Sequence, residues 1–151
     1  GVKLSPQVFR DTFVDQFVAS QTRPEIYEEY LLFTETFIEL ITNSFVQWIG
    51  GSFTTQKLNP RDIDVLTLLN KSIYESKKHL VTSNFDRRSS RFPLIDSYFL
   101  PVPETDGQNN TFFRSDLVYW VHQFGYTRKN RQGKRNSRGY VEITFNDFNY
   151  E

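Results

Sequence analysis

Cysteine is absent from the sequence of 151 residues, which excludes a disulfide framework, a thiolate nucleophile and a cysteine-ligated zinc site. No apolar run approaches the roughly 18 residues that a membrane-spanning helix needs. The first six residues also lack the apolar stretch that is typical of a signal peptide. From these absences we expect a cytoplasmic protein with no membrane partner.

A net charge is also lacking, because 18 Lys and Arg side chains balance 18 Asp and Glu side chains. The balance is uneven along the chain, since residues 1–60 carry four basic and seven acidic side chains, whereas residues 61–151 carry 14 basic and 11 acidic ones. Aromatic residues make up 17% of the sequence, enough to build a core, which argues against disorder. The length suits one compact domain over residues 1–151.

Two helices are predicted in residues 1–44. Ser5 and Pro6 form a typical helix start, with serine at the N-cap and proline at the first helical position. Thr22 and Glu25 have the spacing of a capping box and predict a second start. Apolar residues at helical spacing follow each start, over 9–18 and 26–41, so we expect both helices to be packing elements.

A sheet with further helices is predicted in residues 45–151 of the domain. Short runs of β-branched and aromatic residues predict strands at 45–49, 63–69, 94–100 and 139–145. Helical spacing predicts helices at 71–81 and 112–121, and 101–110 is predicted to be a loop. The expected class is therefore α+β, a mixed β-sheet with flanking helices.

Three acidic residues in strand contexts are the most informative feature. Asp62 and Asp64 alternate with Ile63 and Val65, so both carboxylates should lie on one face of a strand. Like charges repel unless a cation lies between them, and hard divalent cations favour such carboxylates together with phosphates. Asp96 adds a third carboxylate on another predicted strand. The alternatives are that the pair is a solvated strand end and that Asp96 is a hydrogen-bonded structural residue.

The order of these motifs resembles the nucleotidyltransferase superfamily related to DNA polymerase beta, especially its minimal nucleotidyltransferases. The resemblance rests on Gly51-Ser52, a spacer, Asp62-Ile63-Asp64-Val65 with Pro60 just ahead, and Asp96 as the third carboxylate. The longer run from 48 to 65 also looks like a group of small bacterial proteins of this superfamily, and the similarity extends over most of the chain. This resemblance implies a nucleotidyltransferase-like fold over residues 1–151, in which residues 45–151 form the catalytic part.

The resemblance also implies an activity, namely transfer of a nucleoside monophosphate from an NTP to a hydroxyl of RNA, protein or a small molecule. It implies that Asp62, Asp64 and Asp96 are catalytic and hold Mg²⁺ or Mn²⁺. The nucleotide would be bound by the turn that follows the first long strand and by the first cation after it, that is by Gly50, Gly51, Ser52 and Lys57. Many minimal members carry a basic residue closer to Gly-Ser, so Lys57 either reaches a phosphate or is an exposed turn lysine.

A basic loop lies between Tyr126 and Arg138, with six cations and no acidic residue. It is either a solvated, flexible connection or a contact for a polyanion, such as the nucleotide phosphates or an RNA acceptor. Beside it, Tyr126 could stack on a base, whereas core packing is favoured for Phe124. Three arginines ahead of the Asp96 strand could join the same positive rim. The cations of the loop are Arg128, Lys129, Arg131, Lys134, Arg135 and Arg138, and the three arginines are Arg87, Arg88 and Arg91.

The histidines and tryptophans suggest no chemistry of their own. His79 and His122 have no metal-ligand spacing and are expected to be structural, and Trp48 and Trp120 are expected to anchor the core.

A second functional hypothesis is an antitoxin-like binding module, because minimal nucleotidyltransferases are often paired with a helical toxin. The aromatic N-terminal helices would then bind a toxin-like protein partner. A nucleic-acid-binding domain without metal chemistry is a third.

Overall fold

A computed structural model describes residues 1–104 and 110–146 of the chain. Its five strands form one mixed sheet in the order β1-β5-β2-β3-β4, and helices flank the sheet, which confirms the predicted α+β class. The strands are β1 (Val2–Lys3), β2 (Phe45–Gly50), β3 (Ile63–Asn70), β4 (Ile95–Val102) and β5 (Val141–Phe145). The helices are α1 (Pro6–Arg10), α2 (Arg23–Leu40), α3 (Lys71–Ser76), α4 (Lys78–Asn84) and α5 (Asn110–Gly125).

The centre of the sheet mixes the two kinds of strand pairing. Strand β2 is antiparallel to both β3 and β5, whereas β3 and β4 are parallel over eight residue pairs, from Ile63 with Ile95 to Asn70 with Val102. Parallel neighbours need a crossover connection, which α3 and α4 supply here. The crossover brings β4 beside β3 with their N-terminal ends together, and this arrangement sets the position of the acidic residues.

Each face of the sheet has its own core. On one face, Ile63 and Val65 of β3 pack with aromatic residues of α1 and α2, such as Phe9, Phe33 and Phe37. On the other face, Leu66 packs with Trp48, Leu100 and Phe124 of α5. The alternation of side chains along β3 accounts for this division, because neighbouring residues point to opposite faces. The sheet is therefore a middle layer between the N-terminal helices and α5.

The first helix begins as the sequence predicts, but it ends differently. Ser5 caps α1 by accepting a hydrogen bond from the backbone N–H of Val8 at 3.2 Å. After Arg10 the chain continues as a π-helical turn over Asp11–Asp15, which shifts the register of the apolar stripe. Val18 is consequently 92% exposed, so the prediction that it packs with this stripe is wrong.

The start of α2 uses a different capping residue from the predicted one. The Thr22 side chain makes no capping hydrogen bond and its buried hydroxyl lacks a partner in the structure. Instead, the Ser20 hydroxyl accepts a hydrogen bond from the backbone N–H of Arg23 at 3.0 Å. The predicted capping hydrogen bond to the Thr22 side chain is therefore wrong, although α2 itself begins at the predicted place.

The remaining differences concern the lengths of elements. The predicted helix at 71–81 is divided at Lys77 into α3 and α4. Strand β1 was not predicted, since two exposed residues carry no pattern, and it pairs in parallel with β5. Part of the predicted loop at 101–110 belongs to β4, and its residues 105–109 lie outside the described residues.

Within the described ranges, no helix is both long and apolar enough to cross a membrane.

Candidate functional site

The acidic side chains project from one face of the sheet at neighbouring positions. Asp64 of β3 is the register partner of Asp96 on β4 and of Gly50 on β2. Asp62 lies one residue ahead of β3 and shares the face of Asp64, because Ile63 between them is fully buried on the opposite face. Neighbouring strands are about 4.8 Å apart. Asp64 and Asp96 therefore lie side by side, and Asp62 lies two residues before Asp64 along the chain.

All three carboxylates border a single cavity of about 680 Å³. Its volume is within the range of about 300–1,000 Å³ that small-molecule sites occupy. The same cavity is bordered by the turn after β2, by part of the basic loop and by helix α5. The predicted site residues that border it are Asp62, Asp64, Asp96, Gly51, Ser52, Lys57, Arg128, Lys129, Arg135 and Arg138.

Gly51 lies directly against the Asp64 carboxylate. Its φ of +74° is in the left-handed region that favours glycine, and a Cβ placed there would lie 2.6 Å from Asp64 Oδ2. The chain then forms a 3-10 turn over Gly51–Thr54, in which the Ser52 carbonyl accepts hydrogen bonds from the N–H and hydroxyl of Thr55. The turn thus brings bare backbone and the Ser52 side chain to the edge of the carboxylates.

Gly50 has a packing role in addition to its place in the motif. A Cβ at this position would lie 2.7 Å from the ring of Phe124 in α5. The backbone of Gly50 is extended and forms the last residue pair of β2 with Asp64. Glycine is therefore explained here by the close approach of α5 to the sheet, and Gly51 is the glycine that borders the cavity.

A buried arginine holds the segment that follows the turn. The Arg23 side chain is fully buried and donates hydrogen bonds to the carbonyls of Phe53, Thr55 and Lys57. It also donates to the Phe13 carbonyl at 2.7 Å and stacks on the Phe17 ring at 3.7 Å. Burial lowers the pKa of its guanidinium. Arg23 therefore links the N-terminal helices to the loop, a role that its place in a predicted cap did not suggest.

Lys57 is at the end of the segment that Arg23 holds. Its side chain is exposed and borders the cavity. Its charge partly opposes the rise in the pKa of Asp62 that burial and Asp96 cause. The carbonyl of Lys57 accepts two hydrogen bonds from Arg23, which fixes the backbone that carries the lysine. Lys57 is therefore an exposed lysine at the rim of the cavity, which agrees with both interpretations that the sequence left open.

Burial and neighbouring carboxylates raise the pKa values of Asp62 and Asp64. Burial, followed by the charges of Asp96 and Asp62, raises the pKa of Asp64 to about 6. Burial and the charge of Asp96 also raise the pKa of Asp62. Arg138 and Arg128 oppose this effect at Asp64, but the carboxylates and burial prevail. The site is therefore short of positive charge close to its acidic residues, as is typical of a site that takes up a cation or a proton.

Asp96 has partners of its own on the sheet. Its Oδ2 accepts a hydrogen bond from the Tyr98 hydroxyl at 2.9 Å, and its Oδ1 lies 3.5 Å from Arg87 Nη1. The Arg87 side chain is 58% exposed, so this ion pair stabilises Asp96 only weakly. In the two described ranges, no three acidic or histidine side chains are already grouped as metal ligands. The hydrogen-bonded interpretation of Asp96 thus holds alongside its position at the cavity.

The basic loop folds back over the cavity as an irregular hairpin. Tyr126 and Ser137 form an isolated antiparallel bridge, and Thr127 N–H donates to the Asn136 carbonyl at 2.8 Å. Arg138 is half-buried, donates from Nη2 to the Gln123 carbonyl at 3.1 Å, and has a buried Nε without a partner in the structure. Four of the six predicted cations border the cavity, whereas Arg131 and Lys134 belong to the exposed tip.

The predicted rim of arginines ahead of β4 is only partly correct. Arg87 contacts Asp96 and the Tyr98 hydroxyl, so it does lie beside the site. Arg88 instead pairs with Asp86, and Arg91 donates to Asn84, because a short 3-10 turn over Arg87–Ser89 separates the three side chains. Two of the three arginines are therefore occupied in their own loop.

Helix α5 supplies an aromatic wall that sequence reasoning did not assign to the site. Tyr119, Trp120 and Gln123 border the cavity, together with Tyr98 of β4. Trp48 is a buried anchor as predicted, whereas Trp120 is half-buried and packs on Tyr98 at 4.9 Å. Two-residue alternation from Asp96 would have identified Tyr98. Nothing in the sequence shows which face of α5 turns toward the acidic residues.

The aromatic residues beside the basic loop divide as the sequence analysis suggests. Phe124 is 3% exposed and packs with Trp48, which confirms core packing, although its ring also borders the cavity. Tyr126 is 40% exposed and borders the cavity as well. His79 and His122 are exposed, and the His122 ring lies 4.7 Å from that of Tyr126.

Comparison with known proteins gives one family. No curated protein and no solved structure matches the chain. The model of a family of unknown function, DUF6932, matches residues 5–144, which include the turn after β2, both acidic strands, α5 and the basic loop. The chain therefore belongs to the DUF6932 family.

Proposed function

We propose that this protein is a metal-dependent nucleotidyltransferase, which transfers a nucleoside monophosphate from an NTP to a hydroxyl acceptor. The observation that carries the proposal is the shared cavity, where Asp62, Asp64 and Asp96 meet the Gly51-Ser52 turn and four cations of the basic loop. This combination is what the resemblance to DNA polymerase beta-like nucleotidyltransferases requires. A nucleotidyltransferase-like arrangement of the mixed sheet is part of the proposal.

The donor atoms of the site fit a divalent cation. Three carboxylates supply only oxygen ligands, which Mg²⁺ and Mn²⁺ prefer, and two adjacent carboxylates are typical of phosphate-transfer sites. Burial, followed by the charge of Asp96, raises the pKa values of Asp62 and Asp64, and a bound cation would favour their ionised forms. Gly51 leaves the Asp64 carboxylate open on the side where a Cβ would otherwise press on it. Asp62, Asp64 and Asp96 are therefore the residues that would hold Mg²⁺ or Mn²⁺.

The reaction has a simple balance of bonds. A bond forms between the acceptor oxygen and the α-phosphorus, the bond from that phosphorus to the bridging oxygen breaks, and pyrophosphate leaves while the hydroxyl proton passes to solvent. Mg²⁺ or Mn²⁺ held there would neutralise charge on the phosphates and acidify the attacking hydroxyl. By resemblance, Asp96 would share the catalytic metal and help to activate that hydroxyl. Most of the catalysis in such a site is positioning and electrostatic stabilisation.

The remaining residues of the cavity bind the triphosphate. Backbone at Gly51 can approach a phosphate closely because no side chain intervenes, and the Ser52 hydroxyl can donate to a β- or γ-phosphate oxygen. Lys57, Arg128 and Arg138 border the same cavity and would neutralise phosphate charge. The unpartnered Nε of Arg138 leaves one guanidinium donor unused by the protein. The position of these cations thus supports the hypothesis that the basic loop contacts the phosphates of the nucleotide.

A transfer assay tests the proposal. The protein is incubated with α-labelled ATP, CTP, GTP or UTP, Mg²⁺ or Mn²⁺, and RNA, protein and small-molecule acceptors, and both label transfer and pyrophosphate release are measured. Transfer that is lost in Asp64→Asn and kept in Asp116→Asn, an exposed acidic residue of α5, supports the proposal. If none of the four nucleotides binds or is turned over under any metal condition, the proposal is wrong.

A further inference from the structure

The side of the cavity that α5 forms is lined by aromatic side chains, which are not needed to bind phosphates. Tyr119 and Trp120 border the cavity next to each other, and Gln123 follows Tyr119 at i+4 on the same face of the helix. Tyr119 is 54% exposed and its ring lies 5.1 Å from that of Trp120. A solvent-accessible aromatic surface of this kind, next to a charged site, offers a face on which a flat ligand can stack.

The aromatic surface is connected directly to the acidic residues. Trp120 packs against the ring of Tyr98 at 4.9 Å, and the Tyr98 hydroxyl donates to Asp96 at 2.9 Å. A ligand that places phosphates at the carboxylates would therefore bring an attached ring next to Trp120 and Tyr119.

Gln123 adds a polar group to this wall. Its backbone carbonyl accepts a hydrogen bond from Arg138, which ties this turn of α5 to the basic loop. Its side-chain amide carries both a donor and an acceptor and borders the cavity. A paired donor and acceptor of this kind can hydrogen-bond the edge of a nucleobase, as glutamine does with adenine.

We propose that Tyr119, Trp120 and Gln123 form the nucleobase subsite of this cavity, with the base stacked on the two rings and its edge bonded to the Gln123 amide. The inference rests on the proposed function and names the part of the donor nucleotide that these residues recognise. It predicts that the base, and not only the triphosphate, contributes to affinity. The assignment also explains why an exposed tyrosine and a half-buried tryptophan face a charged cavity.

The test compares nucleotides with inorganic tripolyphosphate by isothermal titration calorimetry in Mg²⁺. At least one of ATP, GTP, CTP and UTP is expected to bind roughly tenfold more tightly than tripolyphosphate, because stacking of a base contributes affinity that phosphates alone lack. Tyr119→Ala should remove most of this difference and leave tripolyphosphate affinity unchanged. Phe112→Ala is the matched control, because Phe112 is a 78% exposed aromatic residue elsewhere on α5.

Two further variants separate stacking from folding. Trp120→Phe keeps an aromatic ring that can pack on Tyr98, and it should weaken nucleotide binding by a fewfold without changing the unfolding midpoint. Gln123→Leu should reduce the preference among the four bases while keeping the advantage of nucleotides over tripolyphosphate. Circular dichroism of each variant reports whether α5 is intact.

The outcomes distinguish this inference from the proposed function. If tripolyphosphate binds but no nucleotide binds more tightly, the base subsite is wrong and the phosphate site stands. If Tyr119→Ala lowers tripolyphosphate affinity as much as nucleotide affinity, the wall does not recognise the base and the inference is also overturned. If neither tripolyphosphate nor any nucleotide binds, the proposed function fails and the base subsite fails with it.

Discussion

Asp64 and Asp96 are register partners on the adjacent parallel strands β3 and β4, so their carboxylates leave the same face of the sheet side by side. A protein gains nothing in stability from this placement, because Asp64 is largely buried and the charge of Asp96 makes its ionisation still more costly. Burial first, and then the charges of Asp96 and Asp62, raise the pKa of Asp64 to about 6. An arrangement that lowers stability in this way is typical of a functional site.

The pH dependence of stability should therefore change when Asp64 is replaced. Its pKa is about 6 in the folded state against 3.8 in the unfolded state, so the folded protein holds this proton more tightly and loses stability as pH rises from about 4 to about 6. Asp64→Asn removes this contribution and should increase the free energy of unfolding at pH 7 by roughly 1–3 kcal/mol. Urea unfolding between pH 4.5 and 7.5 measures the effect.

The control for this measurement is Asp116→Asn, which should keep the pH slope of the natural protein because Asp116 is exposed on α5. An Asp64→Asn protein that is less stable than the natural one at pH 7, with the slope unchanged, would show that Asp64 is a stabilising structural residue.

Gly51→Ala and Gly133→Ala form a matched pair. Their φ angles are +74° and +75°, so either alanine should cost about 1–2 kcal/mol of stability through backbone strain. Only at Gly51 does the new Cβ meet another group, Asp64 Oδ2 at 2.6 Å. Gly51→Ala should therefore also lower Mn²⁺ and tripolyphosphate affinity by tenfold or more, whereas Gly133→Ala should leave both unchanged. Equal affinities in the two variants would show that the Gly51 backbone is not part of the binding site.

Arg23 should be important for both stability and phosphate binding. Arg23→Met leaves four backbone carbonyls without their donor, and we expect a loss of roughly 3 kcal/mol or more in urea unfolding. Arg23→Lys retains the charge but cannot reach all four carbonyls and should be intermediate. Folded Arg23→Lys protein should bind tripolyphosphate more weakly, because the segment that carries Lys57 is no longer held.

Arg88→Gln is the control for Arg23, since Arg88 is exposed and pairs with Asp86 in its own loop. It should leave the free energy of unfolding almost unchanged. Arg23 variants as stable as this control would mean that the carbonyls of residues 53–57 find other partners.

The basic loop allows a comparison at equal charge. Arg128→Gln with Arg138→Gln removes two cations that border the cavity, whereas Arg131→Gln with Lys134→Gln removes two cations from the tip. The first double variant should weaken tripolyphosphate binding by at least tenfold, since charge-assisted hydrogen bonds are lost, and the second by no more than about threefold. Calorimetry at constant ionic strength measures both. Similar losses would indicate a diffuse electrostatic effect of the whole loop.

Much of this site follows from periodicity alone. The alternation around Ile63 predicts that Asp62 and Asp64 share a face, and the structure has Ile63 and Val65 buried on the other. That Asp96 lies exactly one strand away could not be derived, because strand order and register depend on contacts between residues far apart in the sequence. The strand pattern around Asp96 identified it as a third carboxylate, and the resemblance to a known superfamily implied that it belongs with the other two.

The contributions of Arg23 and α5 are the ones that the sequence could not indicate. An arginine near a helix start is usually exposed, and only the tertiary structure shows that Arg23 meets four carbonyls of another segment. Tyr119 and Gln123 have helical spacing, but the face that they share becomes a cavity wall only because α5 covers the side of the sheet that carries Asp64. Such residues are identified by packing, which one sequence does not encode in a readable pattern.

The most direct test of the account is Mn²⁺ binding measured by electron paramagnetic resonance, on the natural protein and on Asp64→Asn, with Asp116→Asn as control. We predict saturable Mn²⁺ binding at pH 7.5 that weakens at pH 5, where Asp64 is protonated, and that falls at least tenfold in Asp64→Asn alone. Mn²⁺ binding that is equal in all three proteins and independent of pH, or no binding with or without tripolyphosphate, would contradict the claim that these carboxylates form a metal site.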